Sequence, residues 1–255
     1  MKRTIKHLYL VGNWKMNPET LVEAEGLLRS YLPLTKKLHE TSIWLAAPSL
    51  YVTSLVKLSK GKIIIGTQNI HEGLSGAHTG DISAVQAKSA GARFTVLGHS
   101  ERRELGETDA DINKKIHSAL AQGLEIVLCV GEKIRDNDGA YLIEIQTQIK
   151  SALAGVESKN IKKIIIAYEP VWAIGKNATG IATPVECLEV SILIRRTISD
   201  LYSGAISKKI VVLYGGSASS STAEEFLHDG GVQGFLLGRA SLDLIEMKKL
   251  SSLNS

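Results

Sequence analysis

Short apolar runs recur along the whole chain, at 8–11, 43–47, 63–65, 94–97, 126–130, 164–167, 210–213 and 235–237. Each is continuous rather than alternating and rich in branched aliphatic side chains, the pattern of a strand covered on both faces. The gaps mostly hold amphipathic, helix-favouring stretches, clearest at 20–32, 109–122 and 184–201. Strand, helix, strand at this spacing predicts βαβ units and parallel strands. The later intervals vary, so the repetition is one of structure and not of sequence.

Eight such units can close into a barrel or lie open as a doubly wound sheet, since both are built from the same unit. A dinucleotide-binding sheet would carry Gly-x-Gly-x-x-Gly after its first strand, whereas Leu10-Val11 leads here into Gly12-Asn13-Trp14-Lys15. The count of eight favours a closed (β/α)8 barrel, for which 255 residues is an ordinary length. No Pro/Gly/Ser-rich linker divides the chain, so residues 1–255 are expected to form one domain.

Composition narrows the chemistry. Apolar residues make up 44% and aromatics only 5%, so the core must rest on Val, Ile, Leu and Ala. The net charge of +4 is spread over isolated pairs such as Lys114-Lys115 and Lys162-Lys163, not a stripe, which argues against nucleic acid. A mild positive excess still suits an anionic small molecule. No run of 18 apolar residues is present, so no membrane span is expected, and the basic start is not followed by the apolar stretch of a signal peptide. Two cysteines, Cys129 and Cys187, offer neither a disulfide framework nor metal-ligand spacing, which fits a reducing cytoplasm. The histidines show no zinc-like spacing either; His71 and His78 sit in a glycine-rich loop, and no metal or other cofactor is implied.

In barrels and open sheets alike, ligands bind beyond the carboxyl ends of the strands. The first run leads into Gly12-Asn13-Trp14-Lys15, the fourth into Gly98-His99-Ser100-Glu101, and the sixth into Tyr168-Glu169-Pro170. The seventh and eighth lead into Tyr214-Gly215-Gly216-Ser217 and Gly238-Arg239-Ala240-Ser241. A lone lysine, histidine or glycine turn after a strand is ordinary surface structure. A cation, an imidazole, a carboxylate and two glycine turns on one rim are harder to explain that way. A nucleophile elbow would need Gly where Arg102 stands, and no Gly-Lys-Ser/Thr phosphate loop occurs.

Together, Asn13-Trp14-Lys15-Met16-Asn17, Gly98-His99-Ser100-Glu101-Arg102-Arg103, the segment 167–175 (Ala-Tyr-Glu-Pro-Val-Trp-Ala-Ile-Gly) and Tyr214-Gly215-Gly216-Ser217 resemble the triosephosphate isomerase family, in order and over nearly the whole chain. The resemblance implies a cofactor-free TIM-barrel isomerase interconverting dihydroxyacetone phosphate and D-glyceraldehyde 3-phosphate through an enediol(ate), in glycolysis and gluconeogenesis. It implies that Glu169 is the base, in a site that excludes water. His99 would be a neutral electrophile, kept so by the positive end of a helix opened by Ser100. Lys15 and Asn13 would stabilise the developing oxyanion, and Glu101 would hold Lys15. The substrate phosphate would meet backbone N–H groups of Gly175, Ser217, Gly238 and Arg239, the last two at a helix N-terminus. The 170–182 segment would be the lid, received by Tyr214 and Ser217. The 68–81 loop would interdigitate in a homodimer, its Thr79 reaching the other chain near Asn13 and Lys15.

Three departures stand out. The lid reads Gly-Lys-Asn-Ala-Thr-Gly-Ile-Ala over 175–182, two residues longer than the family's usual form, so its second hinge at 180–182 is altered. Arg239 stands where a second glycine is usual, which matters if that position needs a positive φ. The segment after Arg103 is shortened. Two other readings use the same rim: a phosphate-binding aldolase with a Schiff-base lysine, and a non-catalytic phosphate-binding dimer.

Overall fold

In the computed structural model all eight apolar runs are strands: β1 (Leu8–Asn13), β2 (Thr41–Ala47), β3 (Ile64–Thr67), β4 (Phe94–Leu97), β5 (Glu125–Val130), β6 (Ile164–Tyr168), β7 (Val211–Tyr214) and β8 (Gly234–Leu237). The structure describes residues 6–37, 40–136, 138–175 and 178–254. Two strands start one residue later than expected, for local reasons. Ile63 is still tied into the preceding turn, its N–H donating to Ser59 Oγ, and the Ile210 N–H still bonds back to Ile206.

Every strand pairs in parallel with its sequence neighbour, and β8 pairs with β1, closing the (β/α)8 barrel. The helices are α1 (Leu21–Tyr31), α2 (Val52–Ser59), α3 (Ala84–Ser89), α4 (Ser100–Glu104), α5 (Asp109–Ala121), α6 (Ala140–Ala152), α7 (Pro184–Leu201), α8 (Gly204–Ser207), α9 (Ala223–Asp229) and α10 (Leu244–Ser251). Reciprocal caps start four of them: Thr20 with Glu23, Ser83 with Gln86, Thr108 with Asp111, and Thr183 with Glu186. Pro184 adds a preset φ at the first position of α7.

The period of two along each strand divides the core into two layers. Leu8, Leu10, Ile43, Leu45, Ile126, Leu128, Ile164 and Ile166 pack outward beneath the helices. Val11, Trp44, Ala46, Phe94, Val96, Val127, Cys129, Ile165, Ala167, Leu213 and Leu236 form a separate cluster, the filling of the barrel. Trp44 and Phe94 lie 4.9 Å apart between ring centres within it. Gly66 makes that possible: a Cβ there would sit 2.3 Å from the Phe94 ring. The same parity carried past the strand ends aims Asn13 and Glu169 inward, along with four residues that have no side chain, Gly98, Gly131, Gly215 and Gly238. The carboxyl mouth of the barrel is therefore a basin cleared by glycines.

Candidate active site

Lys15 follows β1 with φ of 53°, a left-handed conformation that costs a lysine of the order of 1 kcal/mol or more. Its surroundings enforce it. The Lys15 N–H donates to Asn13 Oδ1 at 3.1 Å, and its carbonyl accepts from Gln68 Nε2 at 2.8 Å, which also donates to the Ala46 carbonyl at 3.1 Å. Trp14 is anchored through Nε1 to the Ser241 carbonyl, and Gly12 permits the close approach, since a Cβ there would meet Ser241 Cβ at 2.7 Å. Lys15 Nζ then reaches Glu101 Oε1 at 2.6 Å. Burial pushes the Glu101 carboxyl up, but the hydrogen bond and charge of Lys15, with His99, outweigh it and leave it lowered. This pair is half exposed, so it fixes the ammonium's position more than it stabilises the fold.

His99 caps α4 from the position before Ser100, its Nδ1 accepting the Glu101 N–H at 3.2 Å. A ring nitrogen that accepts a backbone N–H carries no proton, so the proton belongs to Nε2. Nε2 lies 3.2 Å from Glu169 Oε1. Glu169, 3% exposed, has its other oxygen on the Ser100 N–H at 2.9 Å. Its backbone N–H donates to the Val130 carbonyl, and the Gly215 N–H donates to the Tyr168 carbonyl beside it. Two glycines form its walls. A Cβ on Gly131 would fall 1.7 Å from the Glu169 carbonyl oxygen, and one on Gly215 would fall 2.9 Å from Glu169 Cγ. Cys129 completes the wall; burial and then the Glu169 charge raise its thiol far above the ordinary range.

Gly175, Ser217, Gly238 and Arg239 follow β6, β7 and β8, three adjacent strands, and so share one arc of the rim. Among the described residues only Lys15 and Lys60 are non-glycine residues with positive φ, so Arg239 meets no backbone strain. The expected helix behind it is smaller than the sequence implies: Arg239–Leu242 is one 3-10 turn, so individual N–H groups rather than a long dipole face the rim. Ser241 Oγ bonds back to the Gly238 carbonyl and steadies that turn. Of the lid, Lys176 and Asn177 lie outside the described residues. Thr179 N–H donates to the Trp172 carbonyl at 2.8 Å, and Ala182 is buried before α7 begins.

Residues passed over in the sequence also hold this site. Gln68 and Gly131 are two. Glu132, fully buried, is another: its Oε1 accepts from Tyr168 Oη at 2.9 Å, Trp172 Nε1 at 2.8 Å and Arg135 Nη1 at 3.3 Å. Gln148 of α6 bonds both the N–H and the carbonyl of Gly131. Glu132 had a readable signal, since Gly131-Glu132 follows the fifth apolar run as the other rim residues follow theirs. Gln148, one amide on a helix, had none.

A closed parallel barrel whose glycine-cleared mouth sets a buried carboxylate against an imidazole, with a lysine beside them, is a barrel enzyme arranged for proton transfer. The family model described as triosephosphate isomerase matches residues 8–253. Curated relatives with that name include those of Dictyoglomus thermophilum, 41% identical over 91% of this chain and 94% of its own, and Protochlamydia amoebophila, 37% identical over 96% and 92%. That of Acetivibrio thermocellus is 36% identical over 95% and 96%. The chain belongs to the triosephosphate isomerase family.

Proposed function

We propose that this chain interconverts dihydroxyacetone phosphate and D-glyceraldehyde 3-phosphate, with Glu169 as the base, His99 as the electrophile and Lys15 as the fixed charge. The carrying observation is the 3.2 Å approach of His99 Nε2 to a carboxylate sealed from solvent. Substrate carbonyl oxygen takes the His99 N–H, and the carboxylate exchanges the Ser100 N–H for the carbon-bound proton. Negative charge then grows on oxygen near Lys15 Nζ, whose place Glu101 and the Asn13-held backbone set. Backbone N–H groups of Gly175, Ser217, Gly238 and Arg239 bind the phosphate, and the lid over 170–182 keeps water from the enediolate.

None of the eight strands contains a lysine, so the Schiff-base alternative lacks the group it needs. The enzyme acts as a homodimer in the cytoplasm. Support for the dimer comes from a cleft of about 650 Å³ lined by Asn13, Lys15, Gln68, Glu101 and Arg102, and from the exposed 74–80 tip of the 68–81 loop. A second copy's tip would fill that cleft. Cys129 and Cys187 are free and buried, in keeping with a reducing compartment, and among the described residues no helix could cross a membrane.

Glu169→Asp tests the assignment by withdrawing the carboxylate by about one methylene. Turnover in a coupled isomerase assay is expected to fall about 10²-fold or more. An unchanged rate removes Glu169 as the base.

A further inference from the structure

The barrel has a second opening, at the amino ends of its strands. Glu125, Ile164 and Val211 begin β5, β6 and β7, and with the segments that lead into β6 and β7 they line a cavity of about 420 Å³. That volume is in the range of small-molecule sites. The cavity shares no lining residue with the cleft beside Lys15, and none of its residues comes from the 68–81 loop, so the proposed dimer leaves it open. We propose that this cavity binds a small aromatic phosphate, at a site separate from the isomerase centre.

The floor is aromatic. Tyr9 and Trp44 both line it, their ring centres 6.2 Å apart and their planes inclined by 72°. Ile161, Ile165 and Ile206 supply apolar walls. A flat ring can stack on one of these faces or meet an edge, contacts worth more than the area they bury. Trp44 is 5% exposed, and its Nε1–H has no hydrogen-bond partner among the described residues, although the other two indoles, Trp14 and Trp172, both donate. A buried indole N–H ordinarily has an acceptor, and a ligand oxygen beside the ring would supply one.

The rim is basic. Ser158–Lys163 is a 3-10 turn anchored by the buried Ile161, and in that geometry side chains three apart lie one above the other. Lys159 and Lys162 therefore share a face, Lys163 follows, and Lys209 comes from the turn before β7. Lys159 pairs with Glu157, but among the described residues Lys162, Lys163 and Lys209 make no ion pair. Glu125 is the one acid of the lining, and its charge is drawn on by Arg93 and Lys163. Four ammonium groups against one carboxylate favour an anion, and a dianion over a monoanion. Lysine serves phosphate well, as a compact point charge.

Three indole N–H signals in ¹H–¹⁵N spectra of the full chain separate the two ends of the barrel. Trp14 and Trp172 are tied to Ser241 and Glu132 at the carboxyl end, and Trp44 lines the amino-end cavity. The Trp44 signal is assigned by its loss in Trp44→Phe. Phenyl phosphate is expected to move it saturably, with Kd below about 1 mM, whereas inorganic phosphate and benzyl alcohol, each carrying half of the chemistry, bind about tenfold or more weakly. Reversing two exposed lysines together, Lys162→Glu with Lys209→Glu, should weaken phenyl phosphate about tenfold or more while turnover and circular dichroism stay as in the wild type. A Trp44 signal that does not move, an unchanged Kd in the lysine variant, or either half-probe binding as tightly as phenyl phosphate overturns the proposal.

Discussion

Glu169 owes its position to what its neighbours lack. With Gly131 on one side and Gly215 on the other, there is room for the carboxylate but for no added methyl group. Gly215→Ala sets a Cβ 2.9 Å from Glu169 Cγ without touching any catalytic atom. Turnover is expected to drop about tenfold or more with little change in melting temperature, since small misplacements of a reacting group are costly. Steady-state kinetics beside a thermal melt would check it; a wild-type kcat would mean that Gly215 does not set the base's place. Lys15, His99 and Glu169 were legible in the sequence because each follows an apolar run at the rim. Gln68, Cys129 and Gln148 were not, because their roles depend on which backbone atoms the closed barrel sets beside them.

At the scale of the element, the eight strands and the helices at Leu21–Tyr31, Asp109–Ala121 and Pro184–Leu201 were legible, whereas the short helices were not. Continuous apolar runs need burial on both faces, a demand visible in any single strand. Short helices such as α3, α4 and α8 are held by caps and by their neighbours instead, and carry little periodicity of their own. The segment just past β6, where the proposed lid begins, is rooted in one such local network. Arg135 neutralises the fully buried Glu132, which receives Tyr168 and Trp172, and also reaches Glu189 on α7. Arg135→Ala leaves that carboxylate without its cation in the interior. A loss of about 3 kcal/mol or more in urea unfolding is expected. If unfolding were unchanged, the network would be dispensable to the fold.

For the whole molecule, the proposed dimer joins the cleft beside Lys15 to the exposed loop tip of a second copy. Thr79→Asp introduces a charge at the tip that the acidic Glu101 on the cleft wall would repel. Sedimentation velocity should move from twice 27.5 kDa toward 27.5 kDa, with turnover down about tenfold or more as the Lys15 region loses its support. A stable dimer with wild-type activity would refute this interface.

Closure of the sheet through β1 and β8 also has a consequence for biosynthesis. The two strands that seal the ring are the first and the last made, separated by nearly the whole polypeptide. At ribosomal rates of 5–20 residues per second, they emerge roughly 10–45 s apart. Throughout that interval the nascent chain displays an unsatisfied strand flank at its oldest end. The finished ring displays none, so exposure to wrongful pairing is confined to synthesis.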